Sequence, residues 1–440
     1  MAKITFMGAG STVFARNVLG DCMSSPVLAD SEIALYDIDA KRLKESETIL
    51  SAINKGFGAK ARISSYLGVE NRKNALHGAD FAVNAIQVGL YDPCTITDFE
   101  VPKKYGLRQT IADTIGIGGI MRALRTIPVM KDFARDMEEV CPNVWLLNYT
   151  NPMSMLTGFM LRYTNIKTAG LCHSVQACSG NLLKDLGMED KLEGRRELIA
   201  GINHMGWLLE IKDKNGADLY PEIKKRAAAK NAAGKHYDMV RYDYMDKLGF
   251  YCTESSEHNA EYNPYYIKSR YPQLIDQFNI PLDEYPRRCI EQAAGWTKQY
   301  EEMTSSDVIK HERSGEYASY IMEALITGVP YKIGGNVLNH GGLIENLPSE
   351  ACVEVPCLVD NYGVSPCYAG RLPVHLAAMN MTHINVHLIA IEAAVTLKKE
   401  HIYHAAMLDP LTAAELSIDD IRSMVDELIE RHGSWMPKYK

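Results

Sequence analysis

The sequence predicts an α/β protein whose N-terminal part is a doubly wound parallel sheet and whose C-terminal part is a mixed α/β domain. Five short apolar runs alternate with helical segments up to about residue 175, which is the rhythm of parallel βα units. This rhythm is lost in the remainder of the chain. A length of 440 residues also exceeds what one ordinary core supports. We therefore expect two domains, 1–175 and 176–440.

The predicted elements follow from the apolar runs and from helical periodicity. Strands are expected at 3–7, 32–36, 80–86, 144–149 and 167–172, with helices from residue 13 and over 41–55. The helical region 92–136 is broken by a glycine-rich stretch at 113–119, which is typical of a loop that approaches another group closely. The second domain is expected to contain strands at 197–203, 207–212, 334–337 and 353–359. Its helices are predicted at 287–303, 316–327, 384–407 and 413–431.

Composition excludes several classes of protein. A hydrophobic content of 46% and a charged content of 23% are ordinary for a globular protein. The net charge of -8 argues against a nucleic-acid partner, and no apolar segment has membrane length. Ten cysteines without C-x-x-C spacing indicate reduced thiols rather than a disulfide framework. We expect a cytoplasmic protein with a small-molecule substrate.

The first strand ends in a glycine turn of the kind that receives a dinucleotide. Gly8-x-Gly10 lies between a strand and a helix, where the backbone can approach a pyrophosphate. The third glycine of the usual fingerprint is missing, and a glycine turn after a strand is common. Asp37 ends the second strand, where an acid accepts both ribose hydroxyls and repels a 2′-phosphate. The first domain is therefore predicted to be Rossmann-like and to bind NAD. The predicted contacts are Gly8, Gly10, Ser11, Thr12 and Asp37.

Cys172 and His204 form a second candidate constellation. Cys172 ends the last strand of the first domain, at the edge where open α/β sheets bind ligands. A thiolate and an imidazole can hold a divalent metal and leave positions open for a substrate. A buried structural cysteine and a hydrogen-bonded core histidine explain the same residues, and spacing alone favours that interpretation.

The stretch 253–258 places Glu254, Glu257 and His258 within five positions. Such a cluster can provide a general base. The same residues are also compatible with a solvated loop, or with a helix start capped by Ser255 or Ser256. Both interpretations fit the residues.

Several stretches, in matching order and almost from end to end, resemble those of the NAD- and metal-dependent family 4 glycoside hydrolases. They are ITFMGAGST (4–12), TIADT (110–114), GGIMRALR (118–125), LNY (147–149), GLCHSVQ (170–176), AGINH (200–204), TESSEH (253–258), PLDEYP (281–286) and YHAAM (403–407). Within the family the chain is most similar to the branch of α-galactosidases that act on melibiose-like sugars. The set is far more specific than any one of the motifs above.

The resemblance implies a Rossmann domain followed by a mixed α/β domain, assembled as a homodimer or homotetramer. It also implies a mechanism outside the two-carboxylate scheme of most glycosidases. The sugar is oxidised at C3 by NAD, a base removes the C2 proton, and the aglycone is eliminated from C1. Water then adds, and the C3 ketone is reduced again. The metal stabilises charge at O2 and O3.

The resemblance also assigns roles by position. Cys172 and His204 match the metal ligands, the metal typically being Mn²⁺, which replaces the structural interpretation of both residues. Asn151 matches the asparagine that holds sugar hydroxyls, and Asp113 matches an acid near the metal and sugar that is glutamate in many relatives. His173 stands where relatives acting on phosphorylated sugars have an aspartate as general acid. A histidine there is similar to the branch that takes unphosphorylated α-glycosides.

The C2 base is the remaining assignment. Relatives use a tyrosine or an aspartate in this region, whereas this chain offers Glu254 or Glu257, of which we favour Glu254. Alternative substrates are α-glucosides and α-galacturonides, because no residue argues for an axial O4. A non-catalytic NAD-sensing protein and a 2-hydroxyacid dehydrogenase are the rival functions. A sensing protein has no use for the Cys172 and His204 pair.

Overall fold

The computed structural model describes all 440 residues, and its centre is one sheet of twelve strands. The spatial order is β3-β2-β1-β4-β5-β6-β10-β11-β7-β8-β9, and β12 pairs with β11. The strands are β1 (Lys3–Met7), β2 (Glu32–Asp37), β3 (Arg62–Leu67), β4 (Phe81–Asn84), β5 (Trp145–Asn148), β6 (Lys167–Gly170), β7 (Arg196–Ile202), β8 (Met205–Lys212), β9 (Tyr251–Cys252), β10 (Tyr331–Leu338), β11 (Cys352–Asp360) and β12 (Gly363–Pro366).

Seventeen α-helices cover the sheet. They are α1 (Thr12–Ser24), α2 (Ala40–Gly56), α3 (Arg72–Leu76), α4 (Ile96–Lys104), α5 (Ile117–Val140), α6 (Met153–Tyr163), α7 (His173–Asp185), α8 (Tyr220–Ala233), α9 (Met239–Leu248), α10 (Ser256–Tyr262), α11 (Gln273–Gln277), α12 (Glu284–Met303), α13 (Ala318–Thr327), α14 (Val374–Thr396), α15 (Lys399–Leu408), α16 (Pro410–Glu415) and α17 (Ile418–His432). None of the helices is long and apolar enough to span a membrane.

The first six strands form the predicted Rossmann-like sheet. They are parallel and follow the order 3-2-1-4-5-6 of dinucleotide-binding folds. All five predicted strands are present, because apolar runs such as the one in β1 are buried on both faces. The sequence prediction missed β3, which is the edge strand. Its residues are mostly exposed, so it has no apolar run to reveal it.

The carboxyl ends of four central strands meet at one edge of the sheet. Pairing aligns Met7 with Asn84, Asn84 with Asn148, and Asn148 with Gly170. The Asn84 amide donates to the Asn148 side-chain oxygen at 2.9 Å, which ties β4 to β5 beneath this edge. The loops that follow these strands therefore all begin at the same edge of the sheet. This edge is where ligands bind in open α/β sheets.

The C-terminal residues extend the same sheet. Strand β10 pairs antiparallel with β6 at Asn336 and Gly170, and β11, β7, β8 and β9 follow in antiparallel order. One hydrophobic cluster of 94 buried residues includes members of both halves, for example Ile4 and Val353. The mixed α/β character predicted after residue 175 is confirmed. The domain boundary itself stays a prediction, since strands on both sides share a sheet.

The helical tail differs from the prediction at two points. The single helix expected over 413–431 is wrong, because α16 ends at Glu415 and α17 begins at Ile418. The single helix expected over 384–407 is wrong, because α14 ends at Thr396 and α15 begins at Lys399. Leu397 between them has a φ of +58°, which reverses the helical path. The cause is not visible in the sequence, since leucine normally favours helix.

Candidate active site

Gly8, in the turn between β1 and α1, occupies a position where only glycine fits. Gly8 has a φ of +85°, and a Cβ built on it would lie 2.7 Å from the Ala85 carbonyl oxygen. The Gly10 amide donates to Asp37 Oδ2 at 2.6 Å, so the end of β2 is tied to the turn. This geometry fits a dinucleotide, whose pyrophosphate needs close backbone approach and whose ribose needs an acid at this position.

A cavity of about 230 Å³ connects this turn to the aligned strand ends. Ser11 lines it near the turn, while Asp113, Asn151 and His173 line it on the side of β5 and β6. Thr12 begins α1, and its hydroxyl donates to the Gly10 carbonyl at 3.3 Å. The cavity thus brings the predicted cofactor residues and the predicted substrate residues to one space.

Cys172 stands at the start of α7, two residues after β6 ends. Its carbonyl accepts a hydrogen bond of 3.0 Å from the Tyr317 hydroxyl, and its Sγ lies 3.1 Å from Ser174 Oγ. The side chain is nearly buried, at 9% exposure. Cysteine sulfur is a common ligand of divalent first-row metals, so Cys172 is a candidate metal ligand at this edge of the sheet.

His204 is presented by a two-residue turn between β7 and β8, with a φ of +65°. Its Nδ1 lies 2.8 Å from the Tyr262 hydroxyl, which fixes the ring. Its Nε2 is thereby directed at Glu254, whose Oε2 is 3.2 Å away. Metal-binding histidines are commonly oriented in this way, with one nitrogen tethered and the other free for the ion.

Cys172, His204 and Glu254 bring one ligand atom each to within 4.8 Å of one another. Thiolate, imidazole and carboxylate are a donor set that fits a divalent first-row ion, with room left for substrate oxygens. The sequence predicted the first two members. It did not identify Glu254 as a third donor, because fifty residues of chain separate it from His204 and only the fold closes that distance.

The charges in the cluster stabilise one another, a negative Glu254 beside a positive His204. Burial opposes ionisation of Glu254, but His204 and His258 hold the pKa of its carboxyl down to about 2. Burial likewise opposes protonation of His204, yet Glu254 and Cys172 raise the pKa of its imidazole to about 10. Glu254 also occupies left-handed backbone, with a φ of +67°. Such strain is typical of functional sites, where the surrounding structure over-determines a side chain.

Asp113 and Asn151 lie beside this cluster. Asp113 accepts from Thr114 at 2.7 Å and from the Asn151 amide at 3.4 Å, and it faces His258 Nε2 at 3.8 Å. Although burial opposes its ionisation, His258 and Arg122 hold the pKa of Asp113 below its usual range. Asn151 Oδ1 is buried without a hydrogen-bond partner. An orphaned acceptor at a cavity wall suits a ligand hydroxyl.

Glu257 points away from the cluster. Its Oε1 accepts from Arg288 at 2.5 Å, and its backbone carbonyl accepts from the Thr110 hydroxyl at 2.7 Å. Ser255 caps α10, so the helix-start interpretation of this stretch is confirmed for Ser255. Of the two glutamates singled out in the sequence, only Glu254 lies among the candidate ligands.

His173 lines the cavity as the first residue of α7. Its Nε2 lies 2.5 Å from Glu316 Oε2. Burial lowers the pKa of the imidazole, but the hydrogen bond and charge of Glu316 outweigh it, and the net shift is upward. A histidine with this partner can hold a proton near neutral pH.

Several supporting residues had no predicted role in the site. Glu261 accepts hydrogen bonds from the Thr110 and Ala112 amides, at 2.7 and 2.8 Å, and so shapes the loop that carries Asp113. The other supporting residues are Arg122, His258 as a neighbour of Asp113, Tyr262 and Glu316. Their positions come from distant parts of the chain, and two of them, Arg122 and His258, lie in the stretches 118–125 and 253–258 that carry the family resemblance.

Fold and site together define a Rossmann-type protein with a thiol, imidazole and carboxylate cluster beside its nucleotide cleft. The sequence model of the family 4 glycosyl hydrolases matches residues 3–188, and that of the family 4 glycosyl hydrolase C-terminal domain matches residues 199–412. The chain therefore belongs to the family 4 glycosyl hydrolases, as the resemblance predicted.

Individual relatives match over the whole chain. An α-galactosidase of Bacillus subtilis is 60% identical over 440 residues, which is 100% of both chains. An α-galactosidase of Rhizobium meliloti is 33% identical, over 99% of this chain and 89% of that protein. A 6-phospho-α-glucosidase from gut microorganisms, solved in complex with NAD and Mn²⁺, has a TM-score of 0.82 at 20% identity and covers 100% of both chains. The last comparison supports the fold alone.

Proposed function

We propose that the protein hydrolyses unphosphorylated α-galactosides with the help of NAD and Mn²⁺. The observation that carries this proposal is the cluster of Cys172, His204 and Glu254, whose neighbour Asp113 lines the same cavity as Ser11 of the glycine turn. The 60% and 33% identical relatives named α-galactosidase support the substrate class. Arg122 is the only lysine or arginine that lines the cavity, and its guanidinium faces Asp113 at 4.0 Å. A phosphorylated sugar would call for more cationic groups.

The residues divide into a cofactor group and a metal group. The turn from Gly8 to Thr12 would hold the pyrophosphate of NAD, and Asp37 the adenosine ribose. When bound, the nicotinamide supplies a reversible oxidation at the sugar C3, so that no net redox change occurs. Cys172 and His204 would hold the metal, whose charge would stabilise the negative charge that develops on the sugar.

The protein side chains supply the proton transfers. Asn151 and Asp113 hold sugar hydroxyls, since both line the cavity and Asn151 Oδ1 is buried there without a hydrogen-bond partner. Glu254 is the base that removes the C2 proton, which oxidation at C3 has made acidic. His173 donates a proton to the glycosidic oxygen as it leaves C1. Glu257 is the alternative base, but its ion pair with Arg288 favours Glu254.

We further propose a homodimer or homotetramer in the cytoplasm. Helix α12 supports assembly, because none of its twenty residues is buried and its apolar Ile290 is 56% exposed. All ten cysteines are unpaired, which suits a reducing compartment. Light scattering of the purified protein would measure the oligomeric state.

A panel of p-nitrophenyl glycosides tests the function directly. With catalytic NAD⁺, Mn²⁺ and a reductant, we expect nitrophenol release from the α-galactoside and much slower release from the α-glucoside and α-galacturonide. Preference for another sugar would contradict the proposed substrate class but not the proposed mechanism. Binding of NAD without nitrophenol release would favour the sensing protein, and net NADH formation from 2-hydroxy acids would favour the dehydrogenase.

A further inference from the structure

The His173 ring is held on three sides. Its Nε2 contacts the Glu316 carboxylate at 2.5 Å, and its ring packs against Phe14 and Tyr149 with centroid distances of 6.1 and 5.7 Å. Its Nδ1 makes no hydrogen bond within the protein, and about half of the side chain, 53%, is exposed. One ring nitrogen is therefore occupied by the protein and the other is available to the cavity.

Glu316 is itself fixed to the cofactor-binding helix. Its backbone amide donates to Ser314 Oγ at 3.2 Å, and its side chain is only 9% exposed. Ser314 donates from its amide and its hydroxyl to Asp21, at 2.8 and 2.6 Å, and His311 reaches the same carboxylate at 2.7 Å. Asp21 is fully buried on α1, the helix that begins at the glycine turn. The Glu316 carboxylate thus has a defined place relative to the cofactor site.

We propose that Glu316 is a positioning residue for His173: it occupies Nε2 and thereby assigns Nδ1 as the nitrogen that faces the reacting sugar. The tautomer follows from hydrogen-bond chemistry. A carboxylate only accepts, so the ring must carry a proton on Nε2, and a fixed carboxylate partner selects tautomer and orientation in this way in other acid–base sites. This inference rests on the proposed function.

This arrangement serves a proton transfer from His173 to the glycosidic oxygen. As the C1–O bond breaks, the proton on Nδ1 moves to the glycosidic oxygen, which keeps the bonding electron pair, and Nδ1 keeps its lone pair. The ring, which carries a proton on both nitrogens before this step, thereby becomes neutral and keeps Nε2–H bonded to Glu316. The same Nδ1 lone pair can accept a proton from the water that later adds.

Glu316→Gln tests the assignment, with Glu323→Gln as its matched control. Glu323 lies in the next helix and pairs with Arg313 at 3.1 Å, away from His173, so the control removes an equivalent charge. A glutamine at 316 can also donate to Nε2, which selects the wrong tautomer. We expect kcat for melibiose, whose leaving group needs a proton, to fall on the order of 100-fold with KM nearly unchanged. For 2,4-dinitrophenyl α-galactoside, whose leaving group needs none, the loss should be less than about tenfold.

The outcomes separate this inference from the proposed function. Equal losses on both substrates, or wild-type activity in Glu316→Gln, would overturn the positioning role. A wild-type enzyme inactive on both galactosides would overturn the proposed function instead. A second measurement does not need turnover: ¹⁵N shifts of the His173 ring, assigned with His173→Gln, should show Nε2–H in the neutral wild type and a tautomer mixture in Glu316→Gln. A neutral wild-type ring protonated on Nδ1 would show that the assignment is wrong.

Discussion

Among the single residues of the site, His204 and Glu254 combine a strained backbone with a candidate functional side chain. His204 and Glu254 have φ values of 65° and 67° although neither is glycine. A non-glycine residue in this region costs on the order of 1 kcal/mol or more, which the surrounding packing must offset. Both residues are held by neighbours, His204 by Tyr262 and Glu254 by the Ser255 amide at 3.2 Å. The packing of the fold thus offsets local backbone strain, and it holds the metal-donor atoms of His204 and Glu254 close together.

Cys172→Ser should abolish metal binding and activity together, because a neutral alcohol is a poor ligand near neutral pH. We expect Mn²⁺ affinity to fall at least about 100-fold, more than loss of an outer-shell partner usually costs. Titration calorimetry with Mn²⁺ measures it. Cys178→Ser is the matched control, since Cys178 is also buried but belongs to a separate hydrophobic cluster. Normal Mn²⁺ affinity in Cys172→Ser would show that Cys172 is not a metal ligand.

Glu254→Gln distinguishes a base from a third metal ligand. If Glu254 is the base, the variant should bind NAD and Mn²⁺ normally, accumulate NADH absorbance on adding substrate and lose exchange of the C2 hydrogen with deuterated solvent. Glu257→Gln serves as control, because Glu257 pairs with Arg288 outside the cluster. A large loss of Mn²⁺ affinity in Glu254→Gln would assign it as a ligand. Normal C2 exchange would transfer the base role to Glu257 or another group.

At the scale of elements, the β1–α1 turn shows how one close approach determines a binding site. Gly8→Ala places a methyl group 2.7 Å from the Ala85 carbonyl, in backbone that already has a φ of +85°. We expect the turn to shift and NAD affinity to fall at least about tenfold, which corresponds to about 1.4 kcal/mol. Fluorescence titration with NADH measures this affinity.

Gly58→Ala is the matched control for that variant. Gly58 has nearly the same φ, +86°, but a Cβ there would meet nothing within 4 Å. Its replacement should cost only the left-handed backbone penalty of about 1 kcal/mol in stability. NAD affinity should stay unchanged. Equal NAD binding in both variants would show that the Gly8 approach to Ala85 does not shape the cofactor site.

At the scale of the whole molecule, buried histidines in α14 link stability to pH. Burial lowers the pKa of His383 to about 3 and that of His387 to about 4. The unfolded chain takes up these protons near pH 6.5, whereas the folded chain does not, so stability is present above 6.5 and is lost as pH falls toward 4. Each histidine contributes a slope of up to about 1.4 kcal/mol per pH unit.

His387→Gln should therefore flatten the fall of the unfolding midpoint between pH 6.5 and 5. Urea unfolding at several pH values measures it. His375→Gln is the control, since His375 lies on the same helix but is exposed. Buried carboxyls act in the opposite direction, because burial raises the pKa of Glu261 and Glu354 to about 7 and their contribution is lost as pH rises through 7. The difference between variant and wild type removes their effect. Parallel pH slopes in His387→Gln and wild type would contradict the buried neutral state.

Whole-molecule packing also explains which sequence predictions failed. Strand β3 and the break at Leu397 were missed because neither has a local signal: one is an exposed edge and the other a leucine held in left-handed backbone. The extension of the Rossmann-like sheet by β10 was equally invisible. Pairing of Asn336 with Gly170 joins residues far apart in sequence.

The amino-acid sequence alone predicts the alternating βα fold, through apolar periodicity, and a candidate cofactor turn at Gly8 and Gly10. It singles out Cys172 and His204 as metal ligands only through the family resemblance, because their spacing by itself favours a structural role. The tertiary structure alone decided that Glu254 rather than Glu257 joins the cluster, and that Glu316 holds His173. Such contacts close loops of fifty residues or more, and their partners are selected by packing of the whole sheet.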